Sequence, residues 1–375
     1  MLWNIHRITY SVNAIQNFRG GMVKMDRRKV FLTVNELKPK MIIAEEIRYN
    51  GLVLLNEGTK LTEAIINRLQ EIYFYSRVAV YSDQEEVLEF YKNKTVEEIE
   101  ESFNELSIDV KEILNNIEDT INTNFQEIEE FTRKIKDELR STRSVIKNII
   151  LLGSGEDAIY RHSVNVTALS TVLGKWLGFS ENDINLLSHA AILHDFGKTK
   201  ISSKILDKVT PLTAEEWHKI KSHPGLIYNS LKSVSSLDTS ILYGVLMHHE
   251  RLDGSGYPLG IKEDRIHPFA KIIAIADTFD AINSNRIYRK SQGPFEALET
   301  LQKESLGKLD YVYCKVFIEH VINFLMGESV LLNTNKICTV VGVNVNDISR
   351  PLLVDGTDFI DLKQRRDIYI KKLII

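Results

Sequence analysis

Residues 248–258 read HHERLDGSGYP. Two adjacent histidines run into a loop that carries Gly254 and Gly256. Neighbours on a helix point about 100° apart, so His248 and His249 reach one site together only near a helix end. The glycines that follow supply such an end. Working outward, four more segments offer the same chemistry. His194-Asp195 closes the pattern ENDINLLSHAAILHD, which Ser180 caps with Asp183 in the capping-box position, and Phe196-Gly197-Lys198 follows. His162 follows Tyr160-Arg161, and His223 precedes Pro224-Gly225. Asp277 lies in AKIIAIADTFDAINSNRIYRK. Imidazole and carboxylate together suit Mn, Fe, Ni, Zn or similar ions. His6, His189, His218, His267 and His320 lack this context and read as ordinary core or surface residues.

The chain has 375 residues, 43% apolar and 26% charged, which fits a soluble protein of two or three domains at ~150 residues each. A net charge of -4 leaves no basic footprint for a DNA or RNA polymer. A dinucleotide needs only a local cluster of positive groups. Cys314 and Cys338 form no CxxC and no disulfide framework, which suits a reducing cytoplasm. No apolar run reaches the ~18 residues of a membrane span, so no membrane insertion is expected. The start, MLWNIHRITYSV, lacks the apolar core of a signal peptide. Residues 1–30 read as a tail, and Met22 and Met25 are expected as alternative starts.

The fold class expected is mainly α, with small accessory pieces. Residues 31–83 read as an α+β unit: MIIAEEI and LVLL are strands about an Asn50-Gly51 turn, Thr62 caps a helix, and RVAVY is a further strand. Residues 84–149 read as one long connecting helix. Its apolar stripe runs Val110, Ile113, Ile117, Ile121, Phe125, Ile128, Phe131, Ile135, Leu139, with a mean spacing of 3.6 residues. Such a stripe fits a helix packed on its own domain, or a signalling helix that makes a homodimer. Residues 150–330 read as the helical catalytic domain. Residues 331–375 read as a short C-terminal β unit, with Asp355-Gly356 as a hairpin signal.

With these residues in place, the chain resembles the HD-GYP subgroup of the HD phosphohydrolases. HHERLDGSGYP fits the pattern HHExxDGxGYP without a gap, HDFGK (194–198) fits the HD motif, and 266–290 fits the segment after GYP. The resemblance covers roughly 150–325. It implies His162, His194, Asp195 and Asp277 as ligands of one metal, and His223, His248 and His249 as ligands of a second, with Asp195 bridging. Some members add a Glu one turn before the first ligand and hold a third metal. Here that position is Ala158, so two divalent transition-metal ions, Fe or Mn, are expected.

The resemblance implies hydrolysis of a cyclic dinucleotide, cyclic di-GMP first, to pGpG and onward to GMP, by a hydroxide shared between the metals. Lys198 resembles a phosphate contact. Arg286 and Arg289 resemble residues that bind the dinucleotide, and guanidinium suits both phosphate and the guanine edge. Asp280 is expected to accept from guanine N–H groups and Tyr257 to border a base. Glu250 and Asp253 are expected to fix the loop. Alternatives are a mixed GMP–AMP substrate, a nucleotide-binding signalling module with negligible turnover, and a general HD nucleotidase.

Overall fold

The computed structural model describes residues 28–374 except 35–36, 50–51, 73–76, 83–93, 117–124, 140–141, 155–157, 235–236, 285–292 and 357. The chain divides into two compact units, Met1–Glu89 and Phe90–Ile375.

In the first unit, β1 (Arg28–Thr33), β2 (Ile42–Ile43) and β5 (Arg77–Ser82) form an antiparallel sheet in the order β1-β5-β2. The strands β3 (Ile47–Tyr49) and β4 (Leu52–Leu55) form a hairpin, and α1 (Glu63–Ile72) follows. Thr62 Oγ1 accepts from the Ile65 amide at 3.3 Å, the expected cap. The segment 41–47 is not one strand. It turns at Ala44, whose amide bonds to Ala79 O at 2.7 Å, so the chain leaves the sheet edge there.

In the second unit the long connecting helix is corrected. The described part of its stripe is carried by α2 (Val96–Asn116) and α3 (Phe125–Glu138), followed by α4 (Thr142–Leu152), and Ile117 and Ile121 lie outside the described residues. Lys94 near the start of α2 bonds to Glu138 at the end of α3 at 2.6 Å, and Lys134 to Asp109 at 2.8 Å. The two helices are therefore antiparallel neighbours, and the segment folds back on itself. Val110, Ile113, Ile128, Phe131, Ile135 and Leu139 are all buried in the core of this unit. These described residues of the stripe pack within their own unit.

The remaining helices are α5 (Ala158–Trp176), α6 (Glu181–Leu193), α7 (Ser203–Leu206), α8 (Ala214–Lys221), α9 (His223–Leu231), α10 (Thr239–Met247), α11 (Pro268–Asn283), α12 (Pro294–Glu304) and α13 (Tyr311–Leu325). A 3-10 turn, Phe196–Lys200, follows α6. Helix α11 is central: Phe269, Ala270, Ile272, Ile273, Ala274, Ile275, Ala276 and Phe279 are buried around its whole circumference. Burying each larger side chain contributes about 1.5–3 kcal/mol. Gly244 lets α10 approach closely, since a Cβ there would lie 2.8 Å from Ala190 Cβ and 3.3 Å from Phe269 Cβ.

The C-terminal strands are β6 (Ser329–Leu332), β7 (Ile337–Asn344), β8 (Asp347–Asp355), β9 (Asp358–Asp361) and β10 (Ile370–Ile374). They form one antiparallel sheet in the order β10-β6-β7-β8-β9. The expected hairpin lies between β8 and β9, with Gly356 at φ +61°. Val330, Leu332, Cys338, Val340 and Leu353 join the core of the helices. The sheet is thus part of the second unit.

Candidate metal centre

The centre is built where helices stop. His194 caps the C-terminus of α6, and its N–H still bonds back to Ala191. Asp195 then takes φ -99°, ψ 0°, and the chain tightens into the 3-10 turn. Gly197 is required at that turn, because a Cβ there would lie 2.0 Å from His223 O. This approach brings His223, the first residue of α9, against Asp195. His248 caps the C-terminus of α10 and His249 lies just past it, so the two neighbours reach one site as the helix end allows. Gly256 lets the loop fold back, since its Cβ would lie 2.5 Å from His249 O. Buried Glu250 pins the loop by accepting from the amides of Leu259 (2.6 Å), Gly260 (3.2 Å) and Ile261 (3.2 Å). Asp253 accepts from the Ser255 amide at 2.9 Å.

The carboxylate of Asp195 is divided between two groups of donors. Its Oδ2 lies 3.6 Å from His162 Nε2 and 3.5 Å from His194 Nε2. Its Oδ1 lies 3.3 Å from His223 Nε2 and 3.9 Å from His248 Nε2. Asp277 on α11 stands 3.1 Å from His162 Nε2 and 3.9 Å from His249 Nδ1. All seven expected ligand residues therefore converge. Donor atoms of six of them fall into the sets His162, His194, Asp195 and Asp195, His223, His248, His249, which meet at Asp195, and Asp277 stands beside both through His162 and His249.

The imidazoles are held in one tautomer. Nδ1 of His194, His223 and His248 donates to the carbonyls of Ala191 (2.7 Å), Ile220 (2.8 Å) and Val245 (2.7 Å). A carbonyl only accepts, so each Nδ1 carries the proton and, in the neutral ring, each Nε2 turns a lone pair inward. His223 Nε2 and His248 Nε2 then face each other at 3.3 Å. Two lone pairs at that distance repel unless a cation lies near both. His194 Nε2 and His249 Nε2 are buried with no hydrogen-bond partner among the described residues. Buried polar atoms are rarely left so, and divalent transition metals fit this donor set.

Burial pushes the pKa values of His248 and His249 well below the usual imidazole range, which keeps the rings neutral. For Asp195, burial acts upward, but the charge of Lys198 outweighs it and holds the carboxyl well below the ordinary range. For Asp277 the upward push of burial is outweighed by the polar side chains around it, His162 first, and the carboxyl is held well below the ordinary range. Both carboxyls are thus anionic.

Lys198 Nζ pairs with Asp195 Oδ2 at 2.6 Å, at the border of the centre. Tyr257 stacks on His249, with ring centroids 4.6 Å apart and an interplanar angle of 29°. Arg286 and Arg289 lie outside the described residues.

Asp280 is a correction. It is fully buried, and both oxygens are already engaged within the protein. Oδ2 accepts from His162 Nδ1 at 2.7 Å and from Ser154 Oγ. Oδ1 accepts from Asn165 Nδ2 at 2.8 Å and Ser284 Oγ at 3.2 Å. No edge remains for a guanine. Asp280 instead fixes the tautomer and aim of His162, as carboxylates behind metal-binding histidines do. Ser154, Asn165 and Ser284 were not foreseen. The i, i+3 spacings of Asp277 to Asp280 and His162 to Asn165 were the available signal.

Residues 145–311 match the family model described as HD domain. Over 192 residues, 51% of this chain, the sequence is 33% identical to the cyclic di-GMP phosphodiesterase PdeB of Borreliella burgdorferi, covering 50% of that protein. Over 168 residues, 44% of this chain, it is 33% identical to the 3'3'-cGAMP-specific phosphodiesterase 3 of Vibrio cholerae, covering 36% of that protein. The chain spans about half, or less, of the length of these curated relatives. The structure of Bd1817, an HDG"Y"P protein from Bdellovibrio bacteriovorus, aligns over 79% of this chain and 100% of that one, with TM-score 0.52 and 17% identity, a likeness of fold. The GYP segment at 256–258 accompanies the HD pair at 194–195 within the matched residues.

Proposed function

We propose that this chain hydrolyses a phosphodiester bond of a cyclic dinucleotide in the cytoplasm, with cyclic di-GMP as the first substrate and pGpG, then GMP, as products. The observation that carries the reading is the division of one buried carboxylate, Asp195, between two sets of inward-facing imidazoles. Two divalent ions, iron or manganese, would supply an activated water and neutralise charge on the phosphoryl oxygens. Asp195 serves both sets, while His162, His194, His223, His248 and His249 offer imidazole nitrogens. Asp277 completes the His162 set. Lys198 exchanges its contact with Asp195 for a substrate phosphate. Tyr257 borders a base, and Arg286 and Arg289 bind the dinucleotide.

A second reading, a mixed GMP–AMP cyclic dinucleotide as substrate, is favoured by the similarity to the Vibrio cholerae enzyme. One assay separates the two. Protein purified without oxygen and loaded with Mn or Fe is incubated with each cyclic dinucleotide, and products are separated by chromatography. Cleavage of cyclic di-GMP ahead of the mixed dinucleotide supports the first reading, and the reverse order supports the second. No cleavage of either, with metal bound, removes both. Arg286→Ala should lower kcat/KM for the preferred dinucleotide by roughly 1–3 kcal/mol and leave metal content unchanged. No loss would make Arg286 a surface residue.

A further inference from the structure

Behind His162 a chain of buried polar contacts leads away from the centre and ends on α2. Asp280, which fixes His162, accepts from Asn165 Nδ2 at 2.8 Å. Asn165 Oδ1 accepts from Arg161 Nε at 3.2 Å. The Arg161 guanidinium then meets Glu100 in a two-pronged pair, NH2 to Oε2 at 2.6 Å and NH1 to Oε1 at 3.1 Å. Its NH2 also donates to Asn148 Oδ1 at 2.8 Å, and its NH1 to Asn104 Oδ1 at 3.1 Å. Asn148 in turn donates to Glu100 Oε2 at 3.0 Å and to Val96 O at 3.1 Å. Arg161, Asn165, Asn148 and Asp280 are all buried.

This arrangement is expensive for a purely structural contact. Taking the Arg161 guanidinium out of water costs more than burying an apolar side chain of the same volume, even with part-exposed Glu100 to pair it, and the neighbouring stripe shows that α2 packs well on apolar residues alone. What the ion pair adds is direction. A bidentate Arg–carboxylate contact fixes the plane of the guanidinium, and hence where Nε points. Nε points at Asn165, Asn165 orients Asp280, and Asp280 aims His162. The start of α2 is itself fixed: Thr95 and Glu98 form reciprocal caps at 2.7 and 3.1 Å, and Lys94 ties it to Glu138.

We propose that Glu100 and Arg161 are positioning residues for the metal centre, which set the aim of His162 through Asn165 and Asp280. This rests on the reading of His162 as a metal ligand. Helix α2 is the first described helix of its unit, so the chain from the preceding unit leads into the element that carries Glu100.

The test counts bound Mn²⁺ on the full chain by the loss of the free-ion spin-resonance signal, without reference to turnover. His162→Ala is the reference. Two ions in the wild type, with one weakened or lost in His162→Ala, establishes the ligand reading. Glu100→Leu with Arg161→Met replaces the ion pair by apolar groups of similar size, and Asn165→Ala cuts the chain in the middle without burying a lone charge. Thermal unfolding of the metal-free proteins controls for the fold. The expected result is that the stably folded variant, double or Asn165→Ala, weakens one of the two ions by about 10–100-fold, as outer partners of metal-binding histidines do. The other ion should bind as in the wild type. If both variants fold and bind two ions with wild-type affinity while His162→Ala does not, the positioning role is overturned and the ligand reading stands. If His162→Ala itself binds as the wild type, the ligand reading fails first.

Discussion

Two histidines in the second unit lie beneath an aromatic ring. His320 on α13 stacks on Trp176, with centroids 4.2 Å apart and planes 6° from parallel. His249 stacks on Tyr257 at 4.6 Å and 29°. Both are shielded from water, and burial depresses both imidazole pKa values. Their company differs. Around His320 the stack continues into Phe324, whose ring lies 6.3 Å from Trp176. Around His249 stand His248 at 4.1 Å, His223 at 5.0 Å and the carboxylate of Asp277. Burial and stacking therefore do not mark a site. Convergence of several inward donors on shared carboxylates does.

The largest expected effect separates these regions outright. Asp195→Ala removes the carboxylate that both donor sets share. Turnover of the dinucleotide should fall below detection, and bound metal should drop from about two ions per chain to one or none. His320→Phe keeps a flat ring against Trp176 and should keep both metal and turnover. An active, metal-replete Asp195→Ala protein would falsify the proposed centre. A reproducible count of three ions in the wild type would show that the lack of a donor at Ala158 was misjudged.

Acid should expose the other region. His320 and His189 are buried with pKa values lowered to about 4, while the unfolded chain titrates near the ordinary 6.5. The folded-state value is depressed, so the unfolded state binds the extra proton first. The stabilisation from each neutral ring is complete above pH 6.5 and is lost as pH falls from 6.5 toward 4. Near pH 4.5 the loss should be about 2–3 kcal/mol per histidine. Urea unfolding of metal-free protein at pH 7 and 4.5 measures it. His320→Phe should reduce the acid loss by that amount, and an unchanged acid loss would show that His320 already carries a proton when folded.

The same contrast explains what could be read from the sequence. The donors were legible because the chemistry forces them into short motifs: HD at a helix end, HH before a glycine loop. The helical class of the second unit, the cap at Thr62 and the β8–β9 turn were legible for a similar reason, since each is local. What failed was non-local. Asp280 was expected to be open to a guanine because its partners Ser154, His162 and Asn165 lie more than 110 residues away in sequence. The stripe from Val110 to Leu139 has a helical period, and the period does not say whether the chain folds back in the middle. β1 was missed because its pairing strand, β5, is about fifty residues downstream. The join of β6 to the helical core depends on burial, to which a run of apolar residues is blind.

The smallest expected effect tests whether Tyr257 works through its ring or its hydroxyl. Burial, followed by the charges of Asp277 and Asp195, raises the phenol pKa above its ordinary value. The hydroxyl therefore stays protonated at neutral pH and is neither a base nor an anionic ligand. What Tyr257 presents to the centre is the face of its ring, against His249 on one side and near Lys221, whose Nζ lies 5.5 Å from the ring centroid. Tyr257→Phe keeps that face and should leave kcat/KM for the dinucleotide within about threefold of the wild type, less than 1 kcal/mol. Tyr257→Ala removes the stack, worth about 0.5–1.5 kcal/mol, and frees the His249 ring to turn. It should lower kcat/KM further and weaken metal held by the His223, His248 and His249 set. If Tyr257→Phe proves as damaging as Tyr257→Ala, the hydroxyl makes a contact to substrate that the stacking argument does not supply, and Tyr257 then differs from Trp176 in kind as well as in setting.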